Sequence, residues 1–242
     1  MTDQWRLLDV QAVDTRLDQI AHRRRTLPQI AELATLEGRA AQLRDQLVAA
    51  QTLAGDLQRE LTKAEADVEL VRQRAARDQA RLEAGKGGHK ELGSLQHEIA
   101  TLQRRQSDLE DAELEVMERL EAATAEAEGL GSEQASLQAQ VDEITAARRA
   151  QEQDLDAERE RLVQQRSGLV TGLDAGLLGL YEKVREANGG IGAAMLRARR
   201  CEGCRLEMNP QDLQRIRVAA ADEVVRCEEC RRILVRTSES GL

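Results

Sequence analysis

The sequence predicts a mainly α-helical protein, built as a long antiparallel coiled-coil hairpin that is followed by a small cysteine-containing domain. Three observations lead to this fold class: a composition poor in bulky core residues, two ladders of apolar residues, and two Cys-x-x-Cys pairs near the C-terminus. Charged residues make up 33% of the 242 residues, Phe is absent, and Trp and Tyr occur once each. This composition favours long helices over a compact globule.

The first ladder begins at Leu33, and its apolar residues recur at alternating intervals of three and four. An average spacing of 3.5 residues is the seam of a left-handed coiled coil, because slightly underwound helices keep such a stripe facing a partner. Upstream, Pro28 is expected to kink or break the helix. The ladder consists of Leu33, Leu36, Ala40, Leu43, Leu47, Ala50, Ala54, Leu57, Leu61, Ala64, Val68, Val71 and Ala75.

A second ladder follows the sequence GKGG at residues 85–88 and runs from Leu92 to Ile144, with polar interruptions at Gln106, Glu113 and Gln134. Three glycines in four residues disfavour a continuous helix and suit a chain reversal. The alternative is a parallel dimer of one continuous helix, which the glycines disfavour. We therefore predict that residues 1–168 form an antiparallel hairpin with its turn near 85–90.

A change of composition at Ser167 predicts a connecting region over residues 169–198. Asp174 is a candidate N-cap for a helix that extends to Ala187, where Asn188 and two glycines signal its end. The apolar face of this helix is expected to pack against the base of the hairpin. Residues 191–198 are then expected to be extended.

All four cysteines of the chain lie in two pairs with two residues between the members of each pair: Cys201, Cys204, Cys227 and Cys230. Such turns present two sulfurs to one ion, and two of them complete a tetrahedral Zn²⁺ site that leaves no position for a catalytic water. Paired redox dithiols and an iron or iron–sulfur site are the alternatives. We predict one structural Zn²⁺.

The segment between the cysteine pairs has the layout of a zinc ribbon. Pro210 marks the start of a helix whose Leu213, Ile216 and Val218 are expected to cover the centre of the domain. EVVRC and RRILVR supply β-branched segments on either side of the second pair. A C4 zinc ribbon is therefore predicted over residues 199–242, and its folding should depend on zinc.

The whole chain resembles a bacterial family of long coiled-coil hairpin proteins with a C-terminal C4-type zinc ribbon. The resemblance is carried by HKELGSLQHEI at the start of the second long helix, LYEKVR followed by two glycines, CEGC and CEECRRIL. It implies a hairpin with a ribbon at its end. The family is usually grouped with nucleic-acid-binding proteins, and some members resemble adaptors that join transcription, flagellar or secretion components.

Positive charge is concentrated in the predicted ribbon. From Leu196 onward there are 10 Arg against 8 acidic residues, whereas residues 1–195 carry 25 basic against 36 acidic residues. Phosphate contacts are one interpretation, and neutralisation of a zinc–thiolate centre of formal charge −2 is the other. The candidate nucleic-acid-binding residues are Arg199, Arg200, Arg205, Arg231, Arg232 and Arg236.

These features predict a non-catalytic zinc-binding adaptor, in which the coiled-coil arm is a spacer and the ribbon docks protein partners. The alternative is RNA or DNA binding through the basic ribbon. We expect no enzyme, because the chain has neither a P-loop nor a nucleotide-binding glycine motif. His89 and His97, near the predicted turn, lack further ligands at metal-binding spacing. We expect a cytoplasmic monomer or weak homodimer that does not interact with membranes.

Overall fold

The computed structural model describes residues 3–242 and confirms the predicted fold class. A short 3-10 helix at Asp3–Trp5 precedes the other elements. These are α1 (Arg6–Arg25), α2 (Pro28–Glu83), α3 (His89–Val170), α4 (Ala175–Ala187), β1 (Ala193–Arg197), β2 (Arg200–Cys201), α5 (Pro210–Val218) and β3 (Ile233–Val235). The three strands form one sheet in the order β2-β1-β3, in which β1 runs antiparallel to β2 and parallel to β3.

The chain divides into two compact units. The hairpin unit comprises Ala31–Thr145, and the ribbon unit combines Met1–Ile30 with Ala146–Leu242. The ribbon unit thus contains α1, the C-terminal part of α3, α4, the sheet and α5. The division predicted from the sequence, at 1–168, 169–198 and 199–242, stays a prediction.

In the hairpin unit, α2 and α3 bury the residues of the two predicted ladders. The interrupting side chains Gln106, Glu113 and Gln134 lie half-buried on the same seam. The seam therefore continues through the polar positions, and the chain buries both ladders within one hairpin. The buried ladder residues are Leu33, Leu43, Ala50, Leu57, Leu61, Val68, Ile99, Val116, Ala123 and Leu137.

The turn between α2 and α3 occupies the glycine-rich segment that the sequence marks. Gly85 adopts a φ of 59°, a left-handed conformation that glycine reaches without a steric cost. At the start of α3, the carboxylate of Glu91 accepts a hydrogen bond of 3.2 Å from the backbone N–H of Gly88. At the end of α2, the backbone N–H of Gly85 donates to the carbonyl of Leu82 at 3.1 Å, so both ends of the turn have partners for groups that a helix terminus leaves unsatisfied.

Ion pairs between the two helices match an antiparallel register. Arg39 contacts Glu133 at 2.5 Å, and Arg72 contacts Glu110 at 3.2 Å. These side chains are exposed, so each pair contributes roughly 0–1 kcal/mol to the free energy of unfolding. The apolar seam therefore stabilises the hairpin, while the ion pairs favour one alignment of the helices.

Within the ribbon unit, the helix is interrupted after α1, and α2 begins at Pro28, as predicted. Leu27, in the break, packs with Ile20 of α1 and with Leu155 and Leu162 of α3. This cluster attaches α1 to the C-terminal part of α3.

Helix α4 also follows the prediction. Asp174 is its N-cap and accepts a hydrogen bond of 2.8 Å from the backbone N–H of Leu177. Tyr181 and Val184 form its buried face. Tyr181 packs with Leu7 and Val10 of α1, which lies in the same unit. The predicted contact of this helix with the first part of the chain is therefore made through α1.

The sheet is buried on both faces, and its two faces contact different elements. On one face, Ala193 and Ile233 pack with Leu7 and Val10 of α1 and with Tyr181 of α4. The opposite face, which includes Ala194, Leu196 and Leu234, packs with Met208, Ile216 of α5 and the cysteines. We call α1, α4 and the C-terminal end of α3 the helical base. Because successive residues of a strand point to opposite faces, the parallel pair β1 and β3 joins the helical base to the ribbon core.

One expectation for the ribbon is wrong. Val218 does not cover the core but is 71% exposed, because it is the last residue of α5 and lies on the opposite side from the buried Ile216. The segment EVVRC pairs with the start of β3 through an isolated antiparallel bridge between Arg226 and Ile233. The central partner of β3 is β1, which precedes the first cysteine pair.

A buried carboxylate links three helices of the ribbon unit. Asp14 of α1 accepts hydrogen bonds from Tyr181 Oη at 2.7 Å and from Arg166 Nε at 2.6 Å. Arg185 lies 3.6 Å from the same carboxylate. The Asp14 side chain is only 3% exposed, so these groups replace nearly all of its hydration.

The buried phenol of Tyr181 predicts a shifted alkaline titration. Burial and the hydrogen bond to Asp14 raise the pKa of Tyr181 well above its ordinary value. Because the folded-state pKa is raised, this group contributes stability below the unfolded pKa of about 10, and the contribution is lost as the pH rises above it. Tyr181 is the one tyrosine of the chain, so near-ultraviolet absorbance reports its ionisation alone. We expect tyrosinate to appear only when the ribbon unit unfolds; a gradual titration centred near pH 10 in folded protein would contradict the buried hydrogen bond.

Candidate zinc centre and its basic surroundings

Two backbone turns of the same construction carry the four cysteines. In the first, the N–H of Arg205 donates to the carbonyl of Cys201 at 2.7 Å, and the N–H of Cys201 donates to the carbonyl of Leu206 at 3.0 Å. In the second, the N–H of Arg231 donates to the carbonyl of Cys227 at 2.8 Å, and the N–H of Cys227 donates to the carbonyl of Arg232 at 2.9 Å. We call these turns the first and second knuckle.

The knuckles bring the four sulfurs into one cluster. All four Sγ atoms lie within 4.8 Å of one another. The Sγ atoms of Cys201 and Cys230 are 3.8 Å apart, and those of Cys204 and Cys227 are also 3.8 Å apart. A disulfide would require about 2.05 Å. A tetrahedral zinc site with Zn–S bonds of about 2.3 Å places neighbouring sulfurs about 3.8 Å apart, so the cluster fits this ion.

The electrostatics of the cluster also fit a bound cation. Burial raises the pKa of the Cys201 and Cys227 thiols, although backbone N–H groups within each knuckle donate to the sulfur and oppose the rise. Burial likewise raises the pKa of Cys230, but hydrogen bonds from the backbone and side chain of Arg232 and from neighbouring thiols lower it to about 7. A divalent cation would hold the two buried sulfurs as thiolates at neutral pH.

Within residues 3–242, the four cysteines are the one group of three or more His, Cys, Asp or Glu residues that lie close enough to hold a metal ion. His89 begins α3 and His97 lies two turns further on, and neither joins such a group. The donor set is therefore four thiols, which close a tetrahedral coordination sphere and supply a structural cross-link.

Each knuckle places an arginine in a left-handed backbone conformation. Arg205 and Arg231 occupy equivalent positions, directly after the second cysteine of their pair, and both have a φ of 62°. For a residue other than glycine this conformation costs roughly 1–2 kcal/mol. The backbone of the knuckle imposes it, because both N–H groups must point at a cysteine carbonyl.

The six arginines singled out in the sequence have different surroundings. Arg236 donates to carbonyls after α5, among them Ala219 at 2.9 Å and Ala220 at 2.6 Å. Arg232 donates to the backbone carbonyls of Ile191 at 3.1 Å and Asn188 at 3.0 Å. Both side chains are half-buried and satisfy loop carbonyls. Their assignment to nucleic-acid contact stays a prediction.

The other four are exposed. Arg199 donates to the carbonyl of Gly241 at 3.0 Å, and Arg231 contacts Glu228 at 3.0 Å. The side chains of Arg200 and Arg205 make no hydrogen bond or ion pair with any residue from 3 to 242. Contact of these four with nucleic acid also stays a prediction.

Sequence reasoning missed Gly203 in the first knuckle. A Cβ atom at this position would lie 2.6 Å from Cδ of Arg232 and 3.0 Å from Cβ of Ala194. The first knuckle therefore packs directly against Arg232, whereas the second tolerates Glu229 at the equivalent place. The Gly in CEGC was the available signal for this close approach.

No helix within residues 3–242 is both long and apolar enough to cross a membrane.

Known proteins share both parts of this architecture. Residues 10–189 match the CT398-like coiled coil hairpin domain, and residues 200–234 match the C4-type zinc ribbon domain. Together with the sulfur geometry, the second match confirms the predicted structural zinc.

An uncharacterized protein of Mycobacterium tuberculosis is 40% identical over 233 residues, which are 95% of this chain and 94% of the relative. A solved structure from Mycobacterium smegmatis is also 40% identical, with a TM-score of 0.84 and coverage of 97% of each chain. CT398 from Chlamydia trachomatis has a TM-score of 0.69 at 19% identity, covering 97% of this chain and 98% of that one, which indicates a shared fold. The chain belongs to the family of CT398-like coiled-coil hairpin proteins, and it carries the C4-type zinc ribbon after the hairpin.

Proposed function

We propose that the protein is a non-catalytic adaptor, in which the ribbon docks protein partners and the hairpin acts as a spacer. One observation carries the proposal: most arginines of the ribbon have internal partners. Arg232 and Arg236 bind backbone carbonyls, while Arg215 and Arg231 share Glu228. Such arginines are less available to phosphates than the sequence suggests.

The remaining ribbon surface supports protein docking. Leu206 is 51% exposed beside the first knuckle, and Val218 is 71% exposed at the end of α5. Burial of these two exposed side chains against a protein partner would contribute apolar contact area. The closed set of four sulfurs supports a non-catalytic role, because it leaves no coordination position for water or substrate. Four unpaired thiols fit a reducing compartment such as the cytoplasm.

The adaptor function is tested by capture from cell extract on zinc-loaded full-length protein. We expect at least one protein that is retained after nuclease treatment and is lost with the Cys227→Ser variant, which breaks the ribbon. Capture that disappears with nuclease, or that is the same for the Cys227→Ser variant, would overturn docking by the ribbon.

RNA or DNA binding is the second candidate, and the exposed arginines on the knuckles favour it. Arg205 and Arg231 stand in strained left-handed positions that glycine would occupy at lower cost. A bulky residue in a strained backbone conformation is an observation from which a functional role can be proposed. Arg199 and Arg200 add two more exposed positive charges.

The left-handed positions allow a charge test that spares the fold. An Arg205→Gly, Arg231→Gly variant removes two charges while easing the backbone, so it should keep zinc. An Arg104→Ala, Arg105→Ala variant in the hairpin unit removes the same charge. As an adaptor, the native protein should not bind single- or double-stranded RNA or DNA at about 50 mM salt. Binding that weakens steeply with salt and is lost only in the knuckle variant would replace the adaptor by the nucleic-acid function.

A further inference from the structure

We propose that a groove between α4 and the second knuckle binds an acidic peptide segment of a partner protein, with an apolar side chain in the groove and carboxylates on its rim. The inference rests on the proposed adaptor function and specifies the partner's chemistry. We call this site the knuckle groove. Its lining includes Cys230 and two groups of side chains. We call the apolar Leu180 and Val184, which are half-buried and buried, its floor, and the cationic Lys183, Arg226 and Arg231, of which Lys183 and Arg231 are exposed, its rim.

The knuckle groove has a volume and an apolar lining that suit a peptide side chain. Its volume is about 430 Å³, within the range of pockets that hold small ligands or a few side chains. Leu180 and Val184 lie on consecutive turns of α4 and line the same cavity as the side chains of the second knuckle. An apolar side chain bound between them would be removed from water. This removal supplies affinity without strict sequence specificity.

The charge of the knuckle groove is one-sided. Three cationic side chains line it and none of its lining residues is acidic, although the chain has a net charge of −9. By contrast, the cavity near Asp18 on the far side of α4 mixes Glu182 and Glu186 with arginines. A cluster of positive charges on a protein of negative net charge favours an anionic ligand.

The cationic groups on the rim keep capacity for a ligand. Arg226 uses only Nε, which donates to the carbonyl of Arg231 at 2.7 Å, and this bond fixes the guanidinium at the rim. Arg231 contacts Glu228 through one terminal nitrogen. The exposed Lys183 ammonium makes no hydrogen bond or ion pair with the described residues 3–242. A peptide carboxylate can therefore meet unused N–H donors.

A peptide fits the knuckle groove better than a nucleic acid. No aromatic side chain lines it, so bases have no platform on which to stack. The apolar floor adds nothing to a phosphate contact but contributes to the binding of a leucine or similar side chain.

The test is fluorescence anisotropy with zinc-loaded full-length protein and a labelled synthetic peptide of Glu and Ser residues around one central Leu. Control peptides replace the Leu by Ser, or every Glu by Lys, and a labelled oligouridylate of equal charge tests nucleic acid. Lys183→Glu reverses a charge on the rim. Arg217→Glu is the matched control, because it makes the same charge change on the exposed surface of α5 and lies outside the groove.

We expect the Glu–Leu peptide to bind with a dissociation constant of about 10–100 µM at about 50 mM salt. Lys183→Glu should weaken binding about tenfold and Arg217→Glu less than about twofold. The Leu→Ser peptide should bind more weakly and the Lys peptide not at all. Equal weakening by both variants, tighter binding of the oligonucleotide, or no binding of the Glu–Leu peptide would overturn the proposal.

The adaptor function and the knuckle groove can fail separately. If nuclease-resistant capture of a protein depends on Cys227 but is unchanged by Lys183→Glu, the adaptor function stands and the groove is not its docking site. If capture itself is absent, the adaptor function fails. Zinc content and far-ultraviolet circular dichroism of Lys183→Glu should equal those of the native protein, since Lys183 is exposed.

Discussion

Replacement of Cys227 by Ser should abolish stoichiometric zinc binding and dissolve the packing of the ribbon core, while the hairpin unit keeps its helices. Cys227 is fully buried among Leu196, Ile216 and Leu234, so its sulfur is both a ligand and part of the core. Structural zinc contributes about 10–16 kcal/mol in small domains of this kind. The measurements are zinc content, hydrogen exchange of β1 and β3, and far-ultraviolet circular dichroism.

The loss of helix should be limited to α5, which has 9 residues, whereas α2 and α3 have 56 and 82. The matched control is Arg205→Gly, which alters the first knuckle but keeps all four sulfurs and eases its left-handed backbone. It should bind one zinc ion per chain. Loss of most of the helical signal in Cys227→Ser would show that the hairpin does not fold independently of zinc.

The hairpin and the zinc centre were predictable because their signals are local. The spacing that places Leu57 and Val68 on one ladder is a property of a single helix, and each Cys-x-x-Cys pair forms its knuckle within a few residues. The glycines near Gly85 mark the reversal directly. Such patterns need no knowledge of which distant segments meet.

The surroundings of the arginines could not be predicted for the opposite reason. Arg232 binds the carbonyl of Asn188, which lies 44 positions earlier in the chain, and Arg236 binds carbonyls that α5 places beside it. In the sequence, an arginine that satisfies a loop carbonyl is indistinguishable from one that faces a phosphate. The parallel pairing of β1 with β3 has the same long-range character.

The doubly buried sheet explains why the ribbon and the helical base form one unit. Ala193 and Ile233 face α1 and α4, while their neighbours Ala194 and Leu234 face the knuckles. Gly192, directly before β1, allows this packing, because a Cβ atom there would lie 2.6 Å from the carbonyl oxygen of Tyr181. A disturbance in the helical base should therefore reach the zinc ribbon through the shared strands.

Asp14 offers the sharpest way to disturb the helical base. Asp14→Ala would remove the buried carboxylate that Arg166, Arg185 and the hydroxyl of Tyr181 share, and would leave Arg166 with Glu182, Arg185 with Asp18 and the hydroxyl with the longer contact to Gln11. Removal of one partner from a buried ion pair costs about 3–5 kcal/mol, and the loss here should lie near the lower end because each arginine keeps a second carboxylate. We expect the free energy of unfolding of the ribbon unit, measured in urea, to fall by about this amount.

Asp18 is the matched control for Asp14, because it lies one turn later on α1 and contacts the same Arg185 at 2.7 Å. Its side chain is 51% exposed, so Asp18→Ala should lower the free energy of unfolding by only about 0–1 kcal/mol. Equal losses in the two variants would show that burial adds nothing to the Asp14 contacts. If Asp14→Ala also speeds hydrogen exchange in β3 and Asp18→Ala does not, the sheet transmits the disturbance from the helical base to the ribbon.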